Sequence, residues 1–417
     1  MRYLYTILFY IALPFLFIRL LWRSIRIPGY RKNWGERLGF CPHRFQECIW
    51  IHVVSVGETI AAQPLIKAVI QEYPDIPVLL TNMTPTGAAR VKAIFGNSAF
   101  QTFIPYDLPD ANARFLKRVR PKIAVIFETE LWPNLFAACK KRDIPVLIMN
   151  ARLSEKSAKG YQSILKVTQQ MFQAISHLAA QAPQDAERFL RLGFPKDRLS
   201  VTGNIKFDLE IPALDAQALR EALGVDRPVW IAASTHPGEE EIIFRAHQLI
   251  KEKYPQALLI LAPRHPDRAS AIGAIAKNHG FSFVRRSLNE TCLSNTDIYL
   301  ADTLGELLLM YAAADVAFVG GSLVAVGGHN LMEPAVLAKS ILSGPTLFNF
   351  YQVSQLLLDG EALLIVNNSG EIAEKVLRCF SEDTFSKKLG ENAFQVVMQN
   401  RGALQKQFDL IKMFLNR

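Results

Sequence analysis

Short, almost wholly apolar runs alternate with helix-length segments along this 417-residue chain, in two successive series. The first series predicts strands at 49–54, 77–82, 123–127, 145–150, 177–181 and 199–203. The second predicts them at 229–233, 257–262, 281–284, 297–301, 315–319, 340–343 and 363–366. Strands that are apolar throughout need cover on both faces, which a parallel sheet with crossover helices provides. The expected class is therefore α/β, with two doubly wound Rossmann-like domains facing each other across a cleft. A polar, proline-containing interval at about 208–227 is the expected linker, giving domains at 23–207 and 208–417. A chain of this length is long for one core and comfortable for two.

Residues 1–22 form the expected membrane anchor. Residues 3–18 are uncharged and apolar, and Arg19, Arg23, Arg26, Arg31, Lys32 and Arg37 follow. With Leu20, Leu21 and Trp22 the run is just long enough to span a bilayer if Arg19 snorkels. It can equally lie half-inserted, or form a buried first helix. A secretory signal would carry its charges ahead of the apolar run and a small-residue cleavage site behind it; here only Arg2 precedes the run, and 22–25 offer no such site. Positive charge after the anchor keeps the rest of the chain in the cytoplasm and favours an anionic leaflet, by roughly 1 kcal/mol per residue.

The formal net charge is +9, which suits an anionic partner. That charge gathers near the anchor without the aromatic-basic array that stacks bases, so a nucleic-acid partner is not expected. Five cysteines lack CxxC spacing and read as ordinary thiols. There is no GxxxxGK[ST] loop, GxGxxG fingerprint, DxD pair, HExxH or GxSxG elbow. A metal-independent group transfer between two domains is what remains.

In open parallel sheets, ligands bind beyond the carboxyl ends of the strands, so the polar residues there matter most. Ser55-Val56-Gly57-Glu58 has capping-box spacing, and Glu58 can cap its helix, accept a proton at the cleft, or do both. Glu128 and Glu130 follow the third predicted strand and require a nearby cation or donors. Arg152 offers one cation, and Lys206 lies beside the cleft. In the second series, Ser234-Thr235-His236-Pro237-Gly238-Glu239 reads as a helix start open to an anion. Arg264, after Pro263, is a candidate for a bidentate phosphate contact. Leu304-Gly305-Glu306 opens a further helix.

The segment 315–334 then runs from a buried strand into Gly320-Gly321-Ser322 and Gly327-Gly328, with Glu333 near a helix start. Without a Cβ, the glycines let backbone N–H groups approach a phosphate, and Glu333 can take a ribose hydroxyl. The alternative is a tight turn needing positive φ, with Glu333 favouring the helix dipole.

YRKNWGERLGF, SVGET, TNMTPTGAARV, FETELWPN, NARLSEKS, VTGNIKFD, STHPGEE, APRHP, DTLGEL and FVGGSL…GGHN..E, in this order, resemble the Kdo (3-deoxy-D-manno-octulosonic acid) transferases of lipopolysaccharide biosynthesis. The resemblance spans nearly the whole chain. It implies a glycosyltransferase B fold at the cell inner membrane, with the catalytic domains on the cytoplasmic side. The implied reaction moves Kdo from CMP-Kdo to the 6′-hydroxyl of lipid IVA, an acylated, phosphorylated glucosamine disaccharide. The anomeric centre is inverted, and no metal or cofactor is used.

By that resemblance Glu58 matches the proton acceptor, and Glu130 falls in a motif near the active site. Pro263 and Arg264, then Leu304, Gly305 and Glu306, then Asn330, Leu331, Met332 and Glu333 match the CMP-binding positions. The family commonly has Asn-Pro-x-Glu where this chain has Asn330-Leu331-Met332-Glu333. Gly320, Gly321, Ser322, Arg152 and Lys206 are further cleft candidates, with Arg152 and Lys206 expected at the Kdo carboxylate. Two alternatives stay open at this stage: a transferase using a UDP-sugar, and a non-catalytic protein binding an anionic glycolipid.

Overall fold

The computed structural model describes residues 2–209 and 214–416. The chain divides into two compact units, one of residues 1–208 and 401–417 and one of residues 209–400. Residues 210–213 of the expected linker lie outside the described residues.

Unit one holds a seven-stranded parallel sheet of β1 (Cys48–His52), β2 (Val78–Asn82), β3 (Phe100–Phe103), β4 (Pro121–Phe127), β5 (Val146–Ala151), β6 (His177–Ala180) and β7 (Leu199–Val201), in the order β3-β2-β1-β4-β5-β6-β7. Successive side chains of each strand point to opposite faces, and both faces are covered. Trp50, Leu79, Ala124 and Ile126 enter one core, while Ile49, Ile51, Val125 and Phe127 enter the other. Burial on both sides is why these strands read as continuous apolar runs.

Unit two repeats the plan with β8 (Val229–Thr235), β9 (Leu258–Pro263), β10 (Phe283–Arg285), β11 (Ile298–Leu300), β12 (Val316–Val319), β13 (Ser340–Ser343) and β14 (Leu363–Ile365). The order is β10-β11-β9-β8-β12-β13-β14, again parallel throughout. Chain direction across the sheet reverses at β1/β4 in one unit and at β8/β12 in the other. Crevices at such switch points are where doubly wound sheets bind ligands.

Three expectations need correction. The helix Ala403–Leu415 belongs to unit one, not to a domain running 208–417. Its Ala403, Ile411 and Leu415 cover the core containing Ile49 and Phe127, and Gly402 and Leu404 N–H both donate to Asp208 at 2.6 Å. The interval 208–227 is not all linker, since it contains the helix Ala216–Leu223, whose Arg220 donates to Ala313 O at 2.9 Å. The strand β3 was not expected at all.

The first helix, Arg2–Ser24, is long and apolar enough to cross a membrane. It lies along unit one, with Phe9, Leu13, Leu16, Phe17 and Leu20 packed on Tyr30, Trp34, Tyr106, Leu108 and Ala111. Thr6 Oγ1 donates to Asn134 at 3.1 Å, and Tyr10 OH to Asp110 at 2.6 Å. Its other side exposes Leu4, Ile7, Leu8, Ile11, Phe15, Ile18 and Trp22. The helix is therefore docked on one side and bare on the other, which excludes the reading as a buried first helix.

Candidate active site

The switch point of unit one carries carboxylates. After β1, Ser55 caps the helix Val56–Glu72, its Oγ accepting from Glu58 N–H at 3.5 Å. Glu58 reaches back, its Oε2 accepting from Val54 N–H at 2.7 Å and its Oε1 from the Ser55 hydroxyl at 3.2 Å. The capping geometry is thus real, and it holds the side chain in one place. After β4, Glu128 adopts φ +63°, a left-handed conformation that costs a non-glycine residue energy and recurs at functional sites.

Burial pushes the Glu58 carboxyl up from 4.5 to about 7, with the Val54 N–H opposing and the charges of Glu128 and Glu130 reinforcing. Burial also raises Glu130, with Glu128 adding to it. A carboxylate that ionises near neutral pH is suited to accept a proton from a hydroxyl. Two residues after Glu130, the Trp132 indole N–H is buried without a partner among the described residues. Such an unmade bond costs roughly 1–3 kcal/mol.

The expected cations part company. Lys206 Nζ lies 3.5 Å from Glu128 Oε1, beside the carboxylates. Arg152 does not supply the Glu–Arg pair: its side chain is exposed, and its backbone N–H donates to Thr129 Oγ1 at 3.0 Å. Its charge acts instead on Asp185.

In unit two the glycine-rich loop overturns one expectation. The N–H groups of Gly321, Ser322 and Leu323 all donate to Glu239, at 2.7, 3.1 and 3.0 Å. His236 N–H joins them at 2.9 Å, and Gly320 N–H donates to Ala233 O at 2.8 Å. Gly327 and Gly328 N–H both turn back to Gly321 O. The nest at Gly320, Gly321 and Ser322 thus already holds an anion of the chain's own, the fully buried Glu239 carboxylate, and has no N–H left for a phosphate. Nor does Pro237 begin a helix, since Glu239–Lys253 starts two residues later with Gly238 (φ +96°) as its cap. Sequence reasoning missed Glu239. A signal was present: Gly57-Glu58 after β1 recurs as Gly238-Glu239 after β8.

The other unit-two candidates lie at the end of β9 or on the segments that follow β9, β11 and β12. Pro263 closes β9, and the exposed Arg264 donates its N–H to Thr235 O at 3.0 Å. Asn330 Nδ2 donates to Glu333 Oε1 at 3.1 Å, and Met332 N–H donates to Asn330 Oδ1 at 3.1 Å. Burial raises the Glu333 carboxyl, against Asn330 and Arg264. Leu331 has φ −78°, close to what proline would impose. Leu304 is exposed and Gly305 has φ +87°. Glu306 is paired with Arg286 at 2.8 Å and accepts from the Thr303 hydroxyl, and these partners hold it below its ordinary range.

Residues 32–209 match the family model described as 3-Deoxy-D-manno-octulosonic-acid transferase (kdotransferase). The 3-deoxy-D-manno-octulosonic acid transferase of Haemophilus influenzae is 43% identical, over 100% of this chain and 99% of that protein. The enzyme of that name from Bordetella pertussis is 32% identical over 95% of each. MurG of Acinetobacter baumannii, 16% identical, shares the fold at a TM-score of 0.55 over 88% of this chain and all of that one. The two parallel sheets are those of a glycosyltransferase B fold, and the chain belongs to the 3-deoxy-D-manno-octulosonic acid transferase family of glycosyltransferases.

Proposed function

We propose that the protein transfers Kdo from CMP-Kdo to the 6′-hydroxyl of lipid IVA, inverting the anomeric centre without a metal cofactor. The observation that carries this reading is Glu58, a carboxylate held at the switch point of unit one and pushed up to about 7 by burial. It takes the acceptor's proton as the hydroxyl attacks the anomeric carbon. Glu130 supports it by keeping the site acidic, and Lys206 is the cation on hand for an acidic sugar. In unit two, Arg264 meets the nucleotide phosphate, while Asn330 and Glu333 meet the ribose. Pro263, Leu331 and Met332 contribute backbone, and Leu304, Gly305 and Glu306 form the remaining side of the nucleotide site. With its loop N–H groups taken by Glu239, Arg264 carries more of the phosphate's charge than a glycine-loop site would require.

An acylated acceptor calls for a membrane surface. The bare side of the first helix, followed by Arg19, Arg23 and Arg26, suits an anchor lying in the interface of an anionic inner leaflet. The contacts of Thr6 and Tyr10 with unit one favour this over a spanning helix. The catalytic units then sit on the cytoplasmic side.

The test is to incubate detergent-extracted protein with CMP-Kdo and lipid IVA and weigh the lipid by mass spectrometry. A gain of one or more Kdo units is expected. An unchanged lipid with folded protein and intact donor sinks the proposal.

A further inference from the structure

The switch point of unit two carries histidines. His236 follows β8, His329 ends the loop after β12, and Arg264 with His265 follows the neighbouring β9. The His236 and His329 rings are parallel within 3°, their centroids 5.0 Å apart, and their Nε2 atoms meet at 2.8 Å. Facing ring nitrogens at that distance share one proton, one ring donating and the other accepting. Two neutral imidazoles satisfy this, and so does an imidazolium beside an imidazole. Two imidazolium rings would set N–H against N–H. The pair therefore has room for one extra proton and no more.

Gly321 makes the contact possible. A Cβ there would lie 2.8 Å from His329 Cδ2 and 2.9 Å from its Nε2, so a side chain would push the rings apart. The glycine thus serves the imidazoles, not an approaching phosphate.

The charged and titratable groups facing the pair are Arg264, His265 and Arg268 from the β9 end and Glu239 from the helix after β8. Burial holds His329 down at about 4, with His236, Arg264 and His265 adding to the effect. Burial lowers His236 as well, and Glu239 alone opposes. In the free protein the pair is therefore neutral, and an arriving anion reverses the balance.

We infer that His236 and His329 act beside Arg264 as one protonatable unit that takes up a single proton to hold the phosphate of the departing nucleotide. This rests on the donor proposed above. In the transfer, the bond between the anomeric carbon and the phosphate oxygen breaks, and its electron pair stays on that oxygen. The acceptor oxygen forms the new bond to the carbon, and its proton goes to Glu58. The phosphate thereby changes from a singly charged diester to a doubly charged monoester. The protonated pair answers the second charge; its proton comes from water and returns there when CMP leaves.

Calorimetric titration of the full-length protein with CMP at pH 7.5, in buffers of different ionisation heat, tests this. At that pH the phosphate of CMP is already a dianion, so any proton taken up is the protein's. Uptake of up to about one proton per CMP is expected, and none with cytidine, which has no phosphate. His329→Gln and Gly321→Ala should each remove the uptake and weaken CMP binding about tenfold while leaving cytidine binding unchanged. CMP binding by the unmodified protein without proton uptake overturns the inference. So does uptake that persists in His329→Gln. No CMP binding at all would sink the donor reading itself, and this inference with it.

Discussion

Glu58 and Glu239 occupy the same place in the two units, one in the first turn after β1 and the other in the first turn after β8. Each follows a glycine, and Glu239 is fully buried while Glu58 is half-buried. Their partners differ. Glu239 receives four backbone N–H groups, which satisfies the charge and closes the site around it. Glu58 receives one backbone N–H and one hydroxyl, with Glu128 and Glu130 acting against its charge. A carboxylate with saturated hydrogen bonds is structural, whereas one left short of partners among like charges is ready to take a proton. The same local sequence pattern has produced a staple in one unit and the proposed base in the other.

The largest test of that contrast removes the proposed base. Glu58→Ala should lower kcat by about 10²–10⁴-fold with CMP affinity unchanged; a variant of normal turnover would assign proton transfer elsewhere. Next comes the staple. Glu239→Ala strands four N–H groups, two of them buried, and chemical unfolding should register a loss of about 3 kcal/mol or more. Glu239→Gln, with one carbonyl oxygen left to accept, should recover only part of it. Equal midpoints for all three proteins would mean that the loop does not depend on this carboxylate.

A smaller effect has the opposite sign at Glu58. Because its folded pKa stands above the unfolded value, its contribution to stability is fully present below about pH 4.5 and lost as pH rises through about 7. Glu58→Gln should accordingly be more stable than the unmodified protein at pH 8, by roughly 1–2 kcal/mol, with the gain gone by pH 4. A stability gap independent of pH would contradict the burial argument. The same titration predicts a kcat/KM that falls about tenfold per pH unit below 7. The smallest effect belongs to Lys206→Met, which removes the cation beside Glu128 and should move that acid limb upward by a few tenths of a pH unit. An unmoved limb with a lowered kcat would show that Lys206 acts on the substrate alone.

Much of this was legible because it is written in local periodicity. Runs such as Ile123–Phe127 are buried on both faces, so nothing polar interrupts them, and their ends locate Glu58, Glu130 and Arg264. β3 escaped because it is a short edge strand: Phe100 is exposed, Gln101 is half-exposed, and its four residues carry no continuous apolar run. The helix Ala403–Leu415 was assigned to the wrong unit because its amphipathic pattern states that it must pack, without stating on which sheet. Arg152 and Lys206 were indistinguishable as cations after strands; only the fold sets Lys206 beside Glu128.

Two parallel α/β units, the candidate groups at their strand ends and the family resemblance can be read along the chain, since they follow from spacing and from residue types close together in it. Which of those groups are already satisfied is set by the fold. Glu239 and Gly321 are 82 positions apart, and His236 and His329 are 93 apart. Whether an N–H is free for a ligand, or an imidazole shares its proton, depends on a partner that comes within hydrogen-bond reach only when the sheet brings distant strand ends together.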